Sequence, residues 1–159
     1  MYSALVIASE FIKLGIRDNK PISPMKLQKI VYFAHGLHLA RNGKPLINEA
    51  IQAWEYGPVI PVLYHHFKKW GNNPISETPR LGLFIGDSLT FSIDTIDDDA
   101  EQTIRLAWNI TKDFSATQLS NWSHTDGSPW ARTYDGSINR RINNDDIKQY
   151  FTSQLSTNG

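Results

Sequence analysis

One segment, between Ser23 and Pro45, limits the possible folds of this chain more than any other. Ser23 is a favoured N-cap residue, and Pro24 follows at the first helical position, where a missing N–H group is tolerated. Gly43 and Pro45 are residue types that end a helix. The residues between these signals form two stripes at helical spacing: Leu27, Ile30, Val31, Ala34 and His38 on one, Phe33, Leu37 and Ala40 on the other. Because a helix that is apolar on more than one side is usually buried, the sequence predicts a central helix at about 24–41.

Further helices are predicted around this one. Apolar periodicity or capping signals mark their starts, near Ser3, Pro61, Asp97, Ser115 and Asn144 or Asp145. At Ser115 the signal is a capping box, in which Ser115 and Gln118 satisfy each other's free backbone N–H groups. The acidic run at 97–101 is interpreted as the start of a helix, where carboxylates are stabilising, rather than as a metal site.

A small β element completes the predicted fold. Residues 50–56 alternate in part and predict a short strand that Gly57 and Pro58 break, while residues 88–93 predict one short strand or an ordered loop. The chain has 159 residues, of which 40% are hydrophobic, so it suits a single core. The predicted fold class is therefore α+β, mainly α. We expect one compact helical domain at 1–151 and a frayed polar tail at 152–159.

Composition excludes several classes of protein. The chain has no cysteine, which removes disulfides, thiolate metal sites and cysteine nucleophiles. It has no basic leader and no run approaching the roughly 20 apolar residues of a membrane-spanning helix, so we expect a cytoplasmic protein without a membrane partner. The net charge is zero, but residues 1–80 carry ten Lys and Arg against five Asp and Glu, and residues 81–159 carry six against eleven. We expect these two halves to pack together.

The histidines do not have the spacing of a catalytic or metal site. His35 and His38 are three residues apart, and His65 and His66 are adjacent, but no third ligand follows at a recognised interval. His38 shares a stripe with apolar residues, which predicts a hydrogen-bonded core histidine. The chain contains no GxSxG, Walker or GxGxxG motif. We therefore predict no enzyme activity, no metal and no cofactor.

DNA binding is a stronger rival. The stretch KPISPMKLQKI resembles the basic start of a recognition helix, with Lys20, Lys26 and Lys29 close together. The residues that follow, VYFAHGLHLA, are too apolar for a helix that lies in a groove of DNA. Lys26 and Lys29 could still form an exposed corner of a buried helix. A DNA-binding regulator remains an alternative, although nucleic acid is not the expected partner.

Three stretches together resemble a known family. They are PMKLQKIVYFAHGLHLARNGKPLINE, AIQAWEYGPVIPVLYHHFKKWG and SATQLSNWSHTDGSPW. Their order and spacing, over residues 1–131, resemble the Panacea domain, also called the SocA-like antitoxin domain. Ten positions carry the shared motif: Lys26, Leu27, Gln28, Trp54, Tyr56, Gly57, Pro58, His124, Pro129 and Trp130.

The resemblance implies a protein that binds other proteins. Similar proteins are the antitoxin half of two-gene toxin–antitoxin systems and neutralise their toxins by direct contact. At least one branch instead works as an adaptor that delivers the toxin to a AAA+ protease. The expected partner is a cognate protein toxin encoded by a neighbouring gene, and an adaptor role with a AAA+ protease is the alternative.

The motif positions are expected to be mostly structural. Gly57 permits a turn that a Cβ would obstruct, Pro58 fixes the backbone after it, and His124 sits near a helix end where it can bond free carbonyls. Residues 51–71 are interpreted as a strand, a Gly-Pro turn and a helix. Six side chains are the candidates for contact with the toxin: Tyr32, Arg41, Tyr56, Tyr64, His65 and Lys68.

Overall fold

The computed structural model describes residues 1–79, 83–85, 88–90, 96–137 and 139–157. Its helices are α1 (Ala4–Arg17), α2 (Pro24–Asn42), α3 (Pro61–Phe67), α4 (Asp98–Thr111), α5 (Ala116–Ser123), α6 (Pro129–Thr133) and α7 (Asn144–Thr157). Its strands are β1 (Gln52–Trp54), β2 (Gly57–Val59), β3 (Leu83–Ile85), β4 (Ser88–Thr90) and β5 (Arg140–Arg141). A 3-10 turn, Lys68–Trp70, follows α3.

The α2 helix is the centre of the domain, as the two apolar stripes predict. Ser23 caps it by accepting a hydrogen bond from the backbone N–H of Lys26, and Gly43 ends it in a left-handed conformation at φ 71°. Helices α1, α3, α4, α5 and α7 all pack against it. The packing of α7 is close at Gly36, where the ring of Phe151 occupies the space that a Cβ would need. The prediction of a buried central helix is confirmed.

A small antiparallel sheet lies beside α2. Its strand order is β2-β1-β5, so β1 is the middle strand, with Gln52 opposite both Val59 and Arg141. Gly57 and Pro58 were predicted to break a strand, but they begin β2 and turn the chain back on β1. Pro58 is tolerated there because β2 is an edge strand, where one N–H is not needed for pairing. The pairing of β5 with β1 was not predicted.

The second predicted strand is part of a hairpin. β3 and β4 pair in antiparallel fashion, with Leu83 opposite Thr90 and Ile85 opposite Ser88. The strand predicted at 88–93 is therefore found at Ser88–Thr90, and residues 91–93 lie outside the described residues.

Three of the predicted helix starts have the expected side-chain caps. Ser3 accepts from the N–H of Val6, Asp97 accepts from that of Ala100, and the Ser115 capping box has both of its bonds. The short helix α6, which Ser128 caps, was not predicted. The tail at 152–159 was expected to be frayed, but α7 continues as far as Thr157.

The two halves of opposite charge pack together through α2, α4 and α7. Only one ion pair among the described residues joins them, between Lys20 Nζ and Asp113 Oδ1 at 2.8 Å. The other four ion pairs are local in sequence. Apolar packing and hydrogen bonds such as that between His38 and Thr103, rather than ion pairs, thus hold the halves together. No helix in the described part of the chain is long and apolar enough to cross a bilayer.

Candidate functional site

Most of the motif residues meet at the turn between β1 and β2. Gln28, on α2, binds both backbone groups of Ile60, which precedes α3. The Ile60 N–H donates to Gln28 Oε1 at 2.8 Å, and Gln28 Nε2 donates to the Ile60 carbonyl at 3.1 Å. All of these groups are buried, and Ile60 provides no side-chain cap of its own. Gln28 therefore fixes the start of α3 to the central helix.

Lys29 holds the turn itself. Its Nζ donates to the carbonyls of Tyr56 and Pro58, at 3.0 and 3.1 Å. The residue is only 3% exposed, and burial lowers the pKa of its amine to about 8. No carboxylate among the described residues forms an ion pair with it. Lys29 is thus a buried cation held by neutral carbonyls, which is an uncommon and costly arrangement unless it is well bonded.

The predicted exposed corner of basic residues does not exist. Lys26 is 8% exposed, and its Nζ donates to the carbonyl of Lys112 at the C-terminal end of α4. A cation is stabilised at that end of a helix by the exposed carbonyl groups. Because Lys26 and Lys29 are both engaged inside the fold, neither is available to a DNA phosphate, and this part of the DNA-binding argument is wrong.

Gly57 is required by conformation and by space. Its φ is 115°, in a region that residues with a Cβ rarely adopt. A Cβ at this position would lie 2.7 Å from Lys29 Nζ and 3.0 Å from Ser123 Oγ. The turn therefore approaches α2 and α5 so closely that only glycine fits.

His124 and Trp130 tie the helices α5 and α6 to the same turn. His124, at the end of α5, faces the Ser120 carbonyl with Nδ1 and the Glu55 carbonyl with Nε2 at 3.4 Å. Trp130 Nε1 donates to the Trp54 carbonyl at 2.6 Å, and its ring packs against that of His124 with centroids 4.2 Å apart. The carbonyls of residues 54, 55, 56, 58 and 60 each face a side chain from another element.

Beside the turn lies a groove of about 380 Å³, which we call the aromatic groove. The start of α2 forms one wall, the β1–β2 turn the second, and α3 with the 3-10 turn the third. Its lining includes Met25, Lys29, Trp54, Tyr56, Tyr64 and Lys68. Tyr56 is 71% exposed and Tyr64 is 45% exposed, and the rings of Trp54 and Tyr64 meet edge to face at 5.0 Å.

Comparison with known proteins bears on this arrangement. The family described as "Antitoxin SocA-like, Panacea domain" matches residues 27–131. The chain belongs to this family. A protein named Antitoxin SocA, from Caulobacter vibrioides (strain NA1000 / CB15N), is 38% identical over 115 residues. That match covers 69% of this chain and 58% of the relative. No solved structure matches the chain.

Within this Panacea domain, the polar motif side chains bind the fold's own backbone. Leu27 is 1% exposed in the core, and Pro129 is a buried residue that begins α6. Trp54 and Trp130 are half-buried. Tyr56 differs from the other motif residues because its carbonyl is held by Lys29 while its ring is exposed.

The candidate contact residues separate into three places. Tyr56, Tyr64 and Lys68 lie together in the aromatic groove, although 8 and 4 residues separate them along the chain. His65 is exposed beside Tyr64, with ring centroids 5.4 Å apart, and it does not line the groove. Arg41 is exposed at the far end of α2, about 24 Å from Met25 along the helix axis.

Tyr32 is not an exposed contact residue. It is 1% exposed, and its ring packs edge to face on Phe151 of α7, at 5.8 Å, and obliquely on Trp122 of α5. Burial raises the pKa of its hydroxyl, which has no hydrogen-bond partner among the described residues. The prediction placed Tyr32 on a surface, but α2 has neighbours on the side that Tyr32 occupies.

The histidines of α2 are structural. His38 Nδ1 lies 2.8 Å from Thr103 Oγ1, which confirms a hydrogen-bonded core histidine. His35 Nδ1 accepts from the N–H groups of Leu46 and Ile47, so its Nε2–H donates to Asn144. Burial lowers the pKa of both rings. The described residues contain no cluster of three or more His, Asp or Glu side chains that could hold a metal.

Sequence reasoning missed three members of the site. Met25 lines the groove and is 41% exposed, and Ser120 and Ser128 tie α5 to its surroundings by donating to the carbonyls of Tyr56 and Ser123. A usable signal was present for Met25, because Pro24 fixes the first turn of α2 and leaves the side chains of that turn at one end of the domain. Ser120 gave no signal, since its bond depends on the folded path of a segment 64 residues away, and the bond of Ser128 to Ser123 spans only five residues but follows no helical or capping pattern.

Proposed function

We propose that this protein is an antitoxin, which neutralises a cognate protein toxin by binding it directly. The family match over residues 27–131 carries the proposal. The printed name of the Caulobacter relative, Antitoxin SocA, is consistent with it. In this role the protein is a stoichiometric binder rather than an enzyme, and it works in the cytoplasm, where its toxin is made.

The use of the motif side chains supports a binding role. Gln28 and Trp130, together with the neighbouring Lys29, bond the backbone of the turn and of Ile60 with their polar groups, so they fix its shape and are not free to react with a substrate. The same turn presents the exposed ring of Tyr56. A rigid turn that displays a large aromatic side chain favours protein recognition, because such anchors lose little conformational freedom on binding.

A co-expression growth assay tests the proposal. Each open reading frame adjacent to the gene is induced alone and then together with this protein, and the two products are co-purified. We expect one neighbour to arrest growth, this protein to restore it, and the pair to form a stable complex. An unrelated neutral protein expressed at the same level is the control.

The assay also separates the adaptor alternative. An adaptor restores growth while the toxic protein disappears, and rescue then fails in a strain without AAA+ proteases. A binder restores growth with the toxic protein intact. If no adjacent product is toxic, or if rescue occurs without contact between the two proteins, the proposal of direct neutralisation is wrong.

A further inference from the structure

We infer that the aromatic groove binds an acidic segment of the toxin that inserts an apolar or aromatic side chain between Tyr56 and Tyr64. This inference rests on the proposed antitoxin function and names the surface that performs it. The surface joins one end of the central helix, the rigid turn and the start of α3, so it belongs to the best-fixed part of the fold.

The groove has the shape and the exposed apolar surface of an anchor site. Its volume, about 380 Å³, is at the lower end of the range for ligand pockets, which suits one or two side chains. Tyr56, Tyr64 and Met25 are all large side chains that are more than 40% exposed at its rim. Tyrosine rings at this exposure provide contact area at low entropic cost, and interface energy is concentrated on such residues.

The charge around the groove identifies the partner as acidic. Lys29 and Lys68 are among the lining residues, and no Asp or Glu is. The segments on either side of the β1–β2 turn that form its other walls, residues 19–48 and 57–76, contain no Asp or Glu, and Glu55, which is exposed in the turn, does not line the groove. The groove also lies at the N-terminal end of the 19-residue helix α2, where the free N–H groups contribute positive charge. An acidic segment complements all of these contributions, whereas a basic one would be repelled.

Lys29 strengthens the case because its charge is uncompensated. The ammonium is buried beneath the turn and bonds only neutral carbonyls among the described residues. A carboxylate that approaches the groove would meet this charge through protein rather than through water, where screening is weak. Binding of an acidic segment thus offsets a cost that the free protein carries.

A second groove is the obvious competitor. It lies between α4, α5 and α7, has a volume of about 370 Å³, and exposes Ile110, Phe114 and Leu155 at its edges. Its described lining contains no charged residue. Because nothing there specifies the chemistry of an occupant, we use it as the comparison site in the test.

The test measures the affinity of four variants for the toxic neighbour that the wild-type protein neutralises. Lys68→Glu reverses a charge in the groove, and Tyr64→Ala removes one of its rings. Lys69→Glu is the matched control, because Lys69 is also exposed and adjacent in sequence but does not line the groove. Phe114→Ser alters the competing groove. Circular dichroism and thermal melts establish that each variant is folded.

We expect Lys68→Glu and Tyr64→Ala each to raise the dissociation constant about tenfold or more, since they repel an acidic partner or remove an anchor. Lys69→Glu and Phe114→Ser should stay within about threefold of the wild type. A toxin variant in which the interacting Asp or Glu is replaced by Lys should recover binding to Lys68→Glu.

Two results would overturn the inference, and they differ from failure of the proposed function. If Lys68→Glu and Lys69→Glu are equal in effect, the groove charge has no part in recognition. If Phe114→Ser alone abolishes binding, the toxin occupies the α4–α5–α7 groove. In both cases the wild-type protein still neutralises its toxin. Failure of the wild type to neutralise any neighbour would instead refute the antitoxin function itself.

Discussion

Substitution of Gly57 by alanine should destabilise the domain far more than the addition of one methyl group suggests. At φ 115° a residue with a Cβ is destabilised by about 1–3 kcal/mol of backbone strain. The new methyl group would also lie 2.7 Å from Lys29 Nζ, so the amine must move and lose at least one of its bonds to the Tyr56 and Pro58 carbonyls. A hydrogen bond from a charged donor contributes about 1.5–3 kcal/mol. The two effects together lower the free energy of unfolding by about 4 kcal/mol.

Urea unfolding followed by tryptophan fluorescence measures this loss, and the melting temperature should fall by about 10 °C for a chain of this length. Gly127→Ala is the matched control. Gly127 also has a positive φ, 77°, but no atom lies within 4 Å of its added Cβ. The Gly127→Ala substitution therefore measures the loss of stability from backbone strain alone, about 1–2 kcal/mol.

The reasoning is refuted if Gly57→Ala and Gly127→Ala destabilise the protein equally. Equal losses would mean that Lys29 adapts to the methyl group without losing its bonds. Toxin binding gives a second readout, because the displaced turn carries Tyr56 into the aromatic groove. A Gly57→Ala protein that is less stable but binds with wild-type affinity would show that the turn does not position that surface.

Three further predictions concern buried polar groups. Gln28→Met should lower the free energy of unfolding by about 2 kcal/mol, because the Ile60 N–H loses its acceptor. Gln28→Glu should be as stable as the wild type only at acidic pH, where a protonated carboxyl restores both bonds to Ile60. Tyr32→Phe should leave stability unchanged or raise it by up to about 1 kcal/mol, since the hydroxyl has no partner among the described residues; a clear loss in urea unfolding contradicts this. The pKa of Lys29 is about 8 in the folded protein and 10.5 in an ordinary lysine. Between pH 8 and pH 10.5 the Lys29 amine therefore carries a proton in the unfolded chain but not in the folded protein. The stability of the wild type relative to Lys29→Met should therefore rise across that window by up to about 3 kcal/mol, and a flat difference would contradict the assignment.

The elements that the sequence predicts well are those whose signals are local. Ser23 and Gly43 bound α2 by bonds to residues within one turn, and the Ser115 capping box is complete within four residues. β5 could not be predicted in this way. It is two residues long, and its pairing with β1 joins Gln52 to Arg141, so no periodicity in the neighbourhood of Arg141 reveals it.

The candidate site was predictable in part for the same reason. Exposure of Tyr64 and Lys68 follows from the face of a short amphipathic helix, which local periodicity describes. Burial of Lys29 does not, because its amine bonds carbonyls 27 and 29 residues later in the chain. Tyr32 shows the converse limit. From the sequence alone, Tyr32 is expected to be exposed, because it lies outside the apolar stripes of α2. Only the fold shows that α5 and α7 cover it.

The contact between Gly36 and Phe151 affects the nascent chain during its synthesis. The helix that covers this part of α2 is the last of the described helices to leave the ribosome. The bond of His35 to Asn144 also forms late, because Asn144 follows it by 109 residues. Until then, apolar surface on the earliest helices is uncovered, which makes the nascent chain a target for chaperones and for aggregation. A chain released before residue 151 leaves the side of α2 that Phe151 covers exposed. The amount of working protein in a cell should therefore follow the number of finished chains rather than the number begun.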